Sequence, residues 1–153
     1  MSKPKILIYG YGNPGRQDDG LGILLAEMVE EWKTQNGFDN IETDSNYQLN
    51  IEDAANIADK DIVIFADASQ EDITDIDFTI VKPSTEVNFT MHTCSPSFVL
   101  HLCKDIYDIT PQTYLLHIKG YEWELEEGLT INAKKNLEKA FRFLINKIQE
   151  LSN

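Results

Sequence analysis

Apolar residues recur in this chain with two periods that alternate from one end to the other. The run Ile6-Leu7-Ile8-Tyr9, between Pro4 and Gly10, is short and β-rich, as a strand buried on both faces requires. After Gly20 the apolar positions become Leu21, Leu24, Leu25, Met28, Val29 and Trp32, the spacing of a helix with one buried stripe. A turn-rich stretch over residues 34–39, with Gly37, leads to a short strand over 41–44, and Leu49, Ile51, Ala54, Ala55 and Ile57 predict a second, shorter helix. Asp61-Ile62-Val63-Ile64-Phe65-Ala66-Asp67 predicts the second central strand, ending in Asp67. Phe78-Thr79-Ile80-Val81 predicts another, stopped by Pro83.

Pro96, one residue past Ser95, suits a first helical position, and Phe98, Val99, Leu102, Cys103, Ile106 and Tyr107 continue a helical stripe toward Pro111. Residues 113–118 predict the last strand. Thr130 is placed to cap a final helix whose stripe is Leu137, Ala140, Phe141, Leu144, Ile145, Ile148 and Leu151. Strands alternating with helices imply an α/β fold, a three-layer sandwich with a mostly parallel twisted sheet of about five strands and helices on both faces. One domain over 1–153 is expected. Sheets of this kind bind ligands beyond the carboxyl ends of their strands, so the segments that matter are 10–19, 44–48, 67–70, 83–95 and 120–122.

Composition narrows the partners. The formal charge is −13, from 26 acidic and 13 basic residues, without a lysine or arginine cluster. Affinity for a phosphate backbone comes from cations that displace counterions, so no nucleic acid is expected, and a basic or metal-bearing partner fits better. No apolar run reaches the roughly 18 residues of a membrane span, and the opening residues lack a signal-peptide pattern, so a cytoplasmic protein without membrane contact is expected. Cys94 and Cys103, nine apart, match neither a disulfide framework nor a zinc spacing and are read as reduced thiols.

The turn after the first strand admits three readings. Gly10-Tyr11-Gly12-Asn13-Pro14-Gly15 fits G-x-G-x-x-G, the dinucleotide pattern. Against it, Pro14 removes an amide, two carboxylates stand where a phosphate would meet the helix start, and the acid expected about 20 residues on is missing. Gly12-Asn13-Pro14-Gly15 also looks like the start of the peptidyl-tRNA hydrolases, but the histidine that should follow is replaced by Asp18-Asp19-Gly20, and no histidine precedes His92. In the third reading the carboxylates are working groups. Asp18 or Asp19 alone is accounted for as a cap of the first helix, whereas a pair on a glycine-bracketed turn at the ligand edge of the sheet calls for a cation.

Asp67 closes the second central strand, either as a solvated strand end or as a charge awaiting a partner. His92 lies in the loop before the Ser95 helix, as a surface residue or a ligand. Together Asp19, Asp67 and His92 offer two carboxylates and an imidazole from three strand ends, a donor set that suits nickel, zinc, manganese or iron(II) and leaves coordination positions open. Cys94 is a further candidate as fourth ligand or nucleophile, and His101 and His117 read as packed or surface residues.

Here the chain resembles the hydrogenase maturation endopeptidases, whose hallmark is a strand followed by G-x-G-N-x-x-x-x-D-[DE]-x-x-G. Gly10, Gly12, Asn13, Asp18, Asp19 and Gly22 fall at those positions. The resemblance continues through Asp67-Ala68, His92, Gly120-Tyr121-Glu122 and Glu127-Gly128-Leu129-Thr130, nearly the whole chain. It implies a phosphorylase/hydrolase-like fold and an endopeptidase that removes the C-terminal extension of a nickel-iron hydrogenase large-subunit precursor after nickel insertion. It also implies that Asp19, in a position often held by Glu, together with Asp67 and His92 contacts nickel brought by that precursor, with zinc or cadmium able to substitute. A monomer is expected. Asn13, Asp18, Tyr47, Gln48 and Thr93 are candidate substrate contacts, or ordinary loop residues. A nickel-sensing chaperone-like module that cleaves nothing would show the same ligands.

Overall fold

The computed structural model describes residues 2–85 and 94–153. Along the chain they form β1 (Ile6–Tyr11), a 3-10 turn (Gln17–Gly20), α1 (Leu21–Asn36), β2 (Ile41–Asn46), α2 (Asp53–Ala58), β3 (Ile62–Ser69), β4 (Ile76–Ile80), α3 (Pro96–Tyr107), β5 (Gln112–Lys119) and α4 (Ile131–Leu151). The strands make one sheet in the order β2-β1-β3-β5-β4, parallel except for β4, which runs antiparallel to β5 at one edge. The α/β sandwich expected from the alternating periods is the fold observed.

Alternate side chains of the two central strands divide between two cores. Ile6, Ile8, Ile62, Ile64 and Ala66 pack with α1 and α4 on one face. Leu7, Tyr9, Val63 and Phe65 pack with α2 and α3 on the other. This double burial is why both runs read as continuously apolar rather than alternating. Helix α1 buries Leu21, Leu25 and Val29 of the predicted stripe and adds Ile23 and Ala26, while Leu24, Met28 and Trp32 are half-buried, because it lies between the sheet and α4.

Several boundaries differ from the sequence reading. Strand β2 runs to Asn46 rather than 44, since Ser45 and Asn46 still pair with Gly10 and Tyr11; these polar residues on an exposed edge strand carry no apolar signal. Strand β3 continues to Ser69, so Asp67 does not end it but pairs with His117 of β5 two residues earlier. Helix α2 begins only at Asp53, with Leu49 buried in the preceding loop. Neither Asp18 nor Asp19 caps α1: its N-cap is Gly20, without a side-chain cap, because the 3-10 turn runs directly into the helix. Ser95 and Thr130 do cap, accepting from the amides of Phe98 at 3.1 Å and Ala133 at 3.3 Å.

Strand order sets where a ligand would bind. From β1 the chain moves one way to β2 and the other way to β3, so the crevice between the carboxyl ends of β1 and β3 is the switch point of the sheet. Glycines let α1 sit hard against this crevice: a Cβ on Gly10 would lie 1.9 Å from the Gly22 carbonyl oxygen, and one on Gly22 would lie 2.4 Å from that of Ala66.

Candidate functional site

Beyond Tyr11 the chain must turn sharply, and Gly12 does this with φ +139°, a conformation that side chains disfavour; a Cβ there would also lie 2.1 Å from the Asp19 carbonyl oxygen. The turn then closes on its own groups. The Asn13 side-chain oxygen accepts from Gly15 N at 2.9 Å, and Asn13 N donates to the Asp19 carboxylate at 2.8 Å. Amides that would cradle a phosphate are therefore committed to Asn13 and Asp19, which removes the physical basis of a dinucleotide site. Asn13, a candidate substrate contact, has its side-chain oxygen engaged in holding the turn.

The two adjacent acids diverge. Asp18 is fully buried. Its carboxylate accepts from Tyr121 N at 2.7 Å, Glu122 N at 3.1 Å, Thr130 N at 2.8 Å and the Thr130 hydroxyl at 2.8 Å. Three donors converge on one oxygen and one on the other of this wholly buried carboxylate, so Asp18 fastens the segment before α4 to the turn and has no face left for a substrate, contrary to the expectation from sequence. Asp19 is half-buried, and the single hydrogen bond from Asn13 N leaves its other oxygen without a partner among the described residues.

Asp67 projects from β3 on the α2/α3 face, the same face as Tyr11, whose strand pairs with β3 in register up to Gly10 and Ala66. Burial, then the nearby Asp19 carboxylate, pushes its pKa from the ordinary 3.8 up to about 7, while the Tyr11 hydroxyl and the Ala68 amide act in the opposite direction. The Tyr11 phenol, enclosed and beside Asp67, is itself pushed well above its ordinary range, first by burial and then by that carboxylate. None of the ion pairs among the described residues reaches Asp19 or Asp67. Two carboxylates thus share the switch-point crevice without a compensating cation among the described residues, an arrangement that favours a proton or a metal ion between them.

The other candidates lie as follows. His92 and Thr93 fall outside the described residues. Tyr47 and Gln48 are exposed just past β2, at the same sheet edge as the glycine turn. Cys94 is half-buried, and burial followed by Asp53 and Glu52 raises its thiol, which disfavours the thiolate a nucleophile or ligand needs. Both cysteines are free. The His101 ring lies 6.1 Å from that of Phe98 on α3. Register brings His117 next to Asp67 across the β3–β5 pair, with Nε2 3.1 Å from the Thr79 hydroxyl. Sequence reasoning missed this proximity and that of Tyr11, because both depend on strand order and register. Two large surface grooves lie elsewhere, about 680 Å³ between α1 and β2 and about 710 Å³ beside α3, and neither includes Asp19 or Asp67. No helix among the described residues is long and apolar enough to cross a membrane.

No family model matches the chain, and no curated protein matches its sequence. Solved structures do match it. The NiFe hydrogenase maturation protease HycI from Thermococcus kodakarensis aligns over 99% of this chain and 94% of its own, with a TM-score of 0.74 and 23% identity. The hydrogenase maturating endopeptidase HybD from E. coli aligns over 95% and 93%, with a TM-score of 0.74 and 21% identity. The NiFe hydrogenase maturation protease HybD from Thermococcus kodakarensis aligns over 97% and 99%, with a TM-score of 0.66 and 17% identity. At these identities the shared property is the fold, and it extends over nearly the full length of each chain.

Proposed function

We propose that this chain is an endopeptidase that removes the C-terminal extension of a nickel-iron hydrogenase large-subunit precursor, and that nickel already held by the precursor is the feature it recognises. The observation that carries this reading is the pair Asp19 and Asp67, drawn together at the switch point of the sheet with no cation among the described residues to neutralise them. The motif that positions Asp19 and the fold shared with solved hydrogenase maturation proteases support it.

The donor chemistry fits a borderline metal: two carboxylates, with the imidazole of His92 as the proposed third donor. Asn13 N holds one oxygen of Asp19 and leaves the other for the metal. Tyr11 faces Asp67 and steadies it from the enclosed side. Asp19 and Asp67, with His92, would hold precursor-bound nickel once Asp67 gives up its proton, and a metal held there would supply Lewis-acid polarisation of the scissile carbonyl or of a water. Zinc or cadmium would occupy the same donors in the absence of precursor. No serine elbow occurs in the sequence, and burial with Asp53 and Glu52 raises the Cys94 thiol, which disfavours a thiolate; the attacking group in this scheme is water.

The test is incubation of purified protein with nickel-loaded and nickel-free precursor, followed by intact-mass analysis. The expected result is loss of a defined C-terminal peptide from the nickel-loaded precursor alone. Cleavage of nickel-free precursor at the same rate would overturn nickel recognition. Binding of the loaded precursor with no change in mass would replace the endopeptidase by a nickel-sensing module.

A further inference from the structure

The crevice opens where backbone pairing between its two strands stops. Gly10 and Ala66 are the last partners of β1 and β3, and Gly12, at φ +139°, then turns the chain away. One residue past that pair, Tyr11 and Asp67 meet through their side chains instead. Tyr11 pairs with Asn46 of β2 on its other flank, and its ring stands edge-on to Phe65 with centroids 6.4 Å apart, so both its backbone and its ring are fixed. Its hydroxyl donates to the Asp67 carboxylate, which also accepts from the Ala68 amide.

Asp19 is held in a matching way, by Asn13 N at 2.8 Å. Tyr11 and Asn13 stand on either side of Gly12, so one turn supplies a donor to each carboxylate. Partners of this kind orient metal ligands, and removing one typically costs about 10- to 100-fold in affinity. A carboxylate has about four acceptor positions, and on Asp67 Tyr11 and Ala68 each take one. What remains suits binding through one oxygen better than chelation through both. Calcium gathers roughly six to eight oxygens, often from chelating carboxylates, whereas nickel and zinc need fewer donors and accept nitrogen. Tyr9, two residues earlier on the same face, serves another purpose: its hydroxyl donates to the buried Asp53 at 3.0 Å, and its ring packs on the same Phe65 at 5.7 Å.

We propose that Tyr11 is the metal-selecting residue of this site: by holding Asp67 through its hydroxyl, it limits that carboxylate to one oxygen for an incoming ion, which favours a nickel-like ion over calcium. Tyr11 is a positioning residue, acting through Asp67 rather than on the substrate. The proposal rests on the metal-recognition reading above and extends it from the groups that bind the ion to the way the ion is chosen.

Tyr11→Phe keeps the ring and removes only the hydroxyl. Tyr9→Phe is the control, since it removes a buried hydroxyl whose partner is Asp53. Cadmium and calcium are each titrated into the wild type and both variants by calorimetry, without precursor. Infrared difference spectra of the cadmium-loaded proteins, with isotope-labelled aspartate carboxyl groups, separate one-oxygen from two-oxygen binding by the splitting of the carboxylate stretches. The wild type is expected to prefer cadmium and to show the wide splitting of one-oxygen binding. In Tyr11→Phe the cadmium affinity should fall about tenfold or more, the cadmium-to-calcium ratio should narrow with it, and the splitting should shrink. Tyr9→Phe should keep the ratio and the splitting of the wild type. A ratio within about twofold of wild type in Tyr11→Phe overturns the proposal, as does an equal loss of selectivity in Tyr9→Phe. A wild type with narrow splitting, or with no cadmium binding, overturns it whether or not Tyr11→Phe folds. Nickel-loaded precursor is then offered to the wild type. Tyr11-dependent selectivity in a protein that never cuts the precursor would leave this role standing and the endopeptidase refuted. Cleavage by a protein whose selectivity ignores Tyr11 would do the reverse.

Discussion

Asp67 of β3 and Asp19 of the turn after β1 share one crevice without a cation among the described residues, and burial together with the Asp19 charge pushes the Asp67 pKa up to about 7. In the unfolded chain the same group ionises near its ordinary 3.8. Between these values the folded state holds a proton that the unfolded state has lost. The stability contributed by that proton is complete below about pH 4 and disappears as the pH rises through about 7. Metal-free protein should therefore melt at progressively lower temperature across this window, and Asp67→Asn should flatten the dependence. Parallel melting curves for the two proteins from pH 4 to 8 would contradict the assignment.

Metal binding should show the opposite dependence. A divalent ion must displace the Asp67 proton, so affinity for nickel or cadmium in the absence of precursor should rise with pH through about 7, with about one proton released per ion bound at pH 6. Calorimetry in buffers of different ionisation enthalpy counts that proton. Asp19→Asn and Asp67→Asn should each weaken binding at least tenfold, roughly 1.4 kcal/mol or more. Wild-type affinity in both variants would place the metal elsewhere.

The sequence made the fold legible because both central strands are buried on two faces and each helix carries a stripe, so period and run length pointed to the same architecture. It made Asp19 legible through the glycine turn. It could not separate Asp18 from Asp19, which are neighbours of one type: that distinction depends on the segment around residues 121–130, more than 100 positions away, folding back to offer four donors to one carboxylate and none to the other. The proximity of Tyr11 and His117 to Asp67 depends on strand order and register, which periodicity does not encode. The end of β2 was missed for a simpler reason, since an exposed edge strand gains nothing from apolar residues at its tip.

Asp18 should matter to stability far more than to metal binding. Asp18→Asn replaces an acceptor of four hydrogen bonds by a side chain that turns an NH₂ group toward amides and a hydroxyl. Breaking a buried, charge-assisted network of this kind costs about 3 kcal/mol. Chemical denaturation should report that loss, with the exchange protection of the Tyr121, Glu122 and Thr130 amides falling together. Unchanged protection at all three would mean that another group holds the segment.

The contact between α1 and the sheet gives the sharpest test of the fold around the site. A methyl group on Gly22 would stand 2.4 Å from the Ala66 carbonyl oxygen and 2.7 Å from that of Tyr11, so Gly22→Ala must push α1 away from both strands that form the crevice. Backbone atoms on both sides leave no flexible side chain to yield, and the cost should exceed about 3 kcal/mol, the upper range of overpacking. Gly37→Ala is the control, because nothing lies within 4 Å of its Cβ and the penalty is that of the left-handed conformation at φ +70°, about 1 kcal/mol. Urea unfolding of the two variants should therefore differ by at least 2 kcal/mol. The Gly22 variant should also lose metal affinity, since moving α1 carries Asp19 away from Asp67, whereas Gly37→Ala at the far end of the helix should retain it. Similar stabilities would show that the helix yields without strain, and a Gly22→Ala protein with full metal affinity would show that Asp19 is held independently of α1.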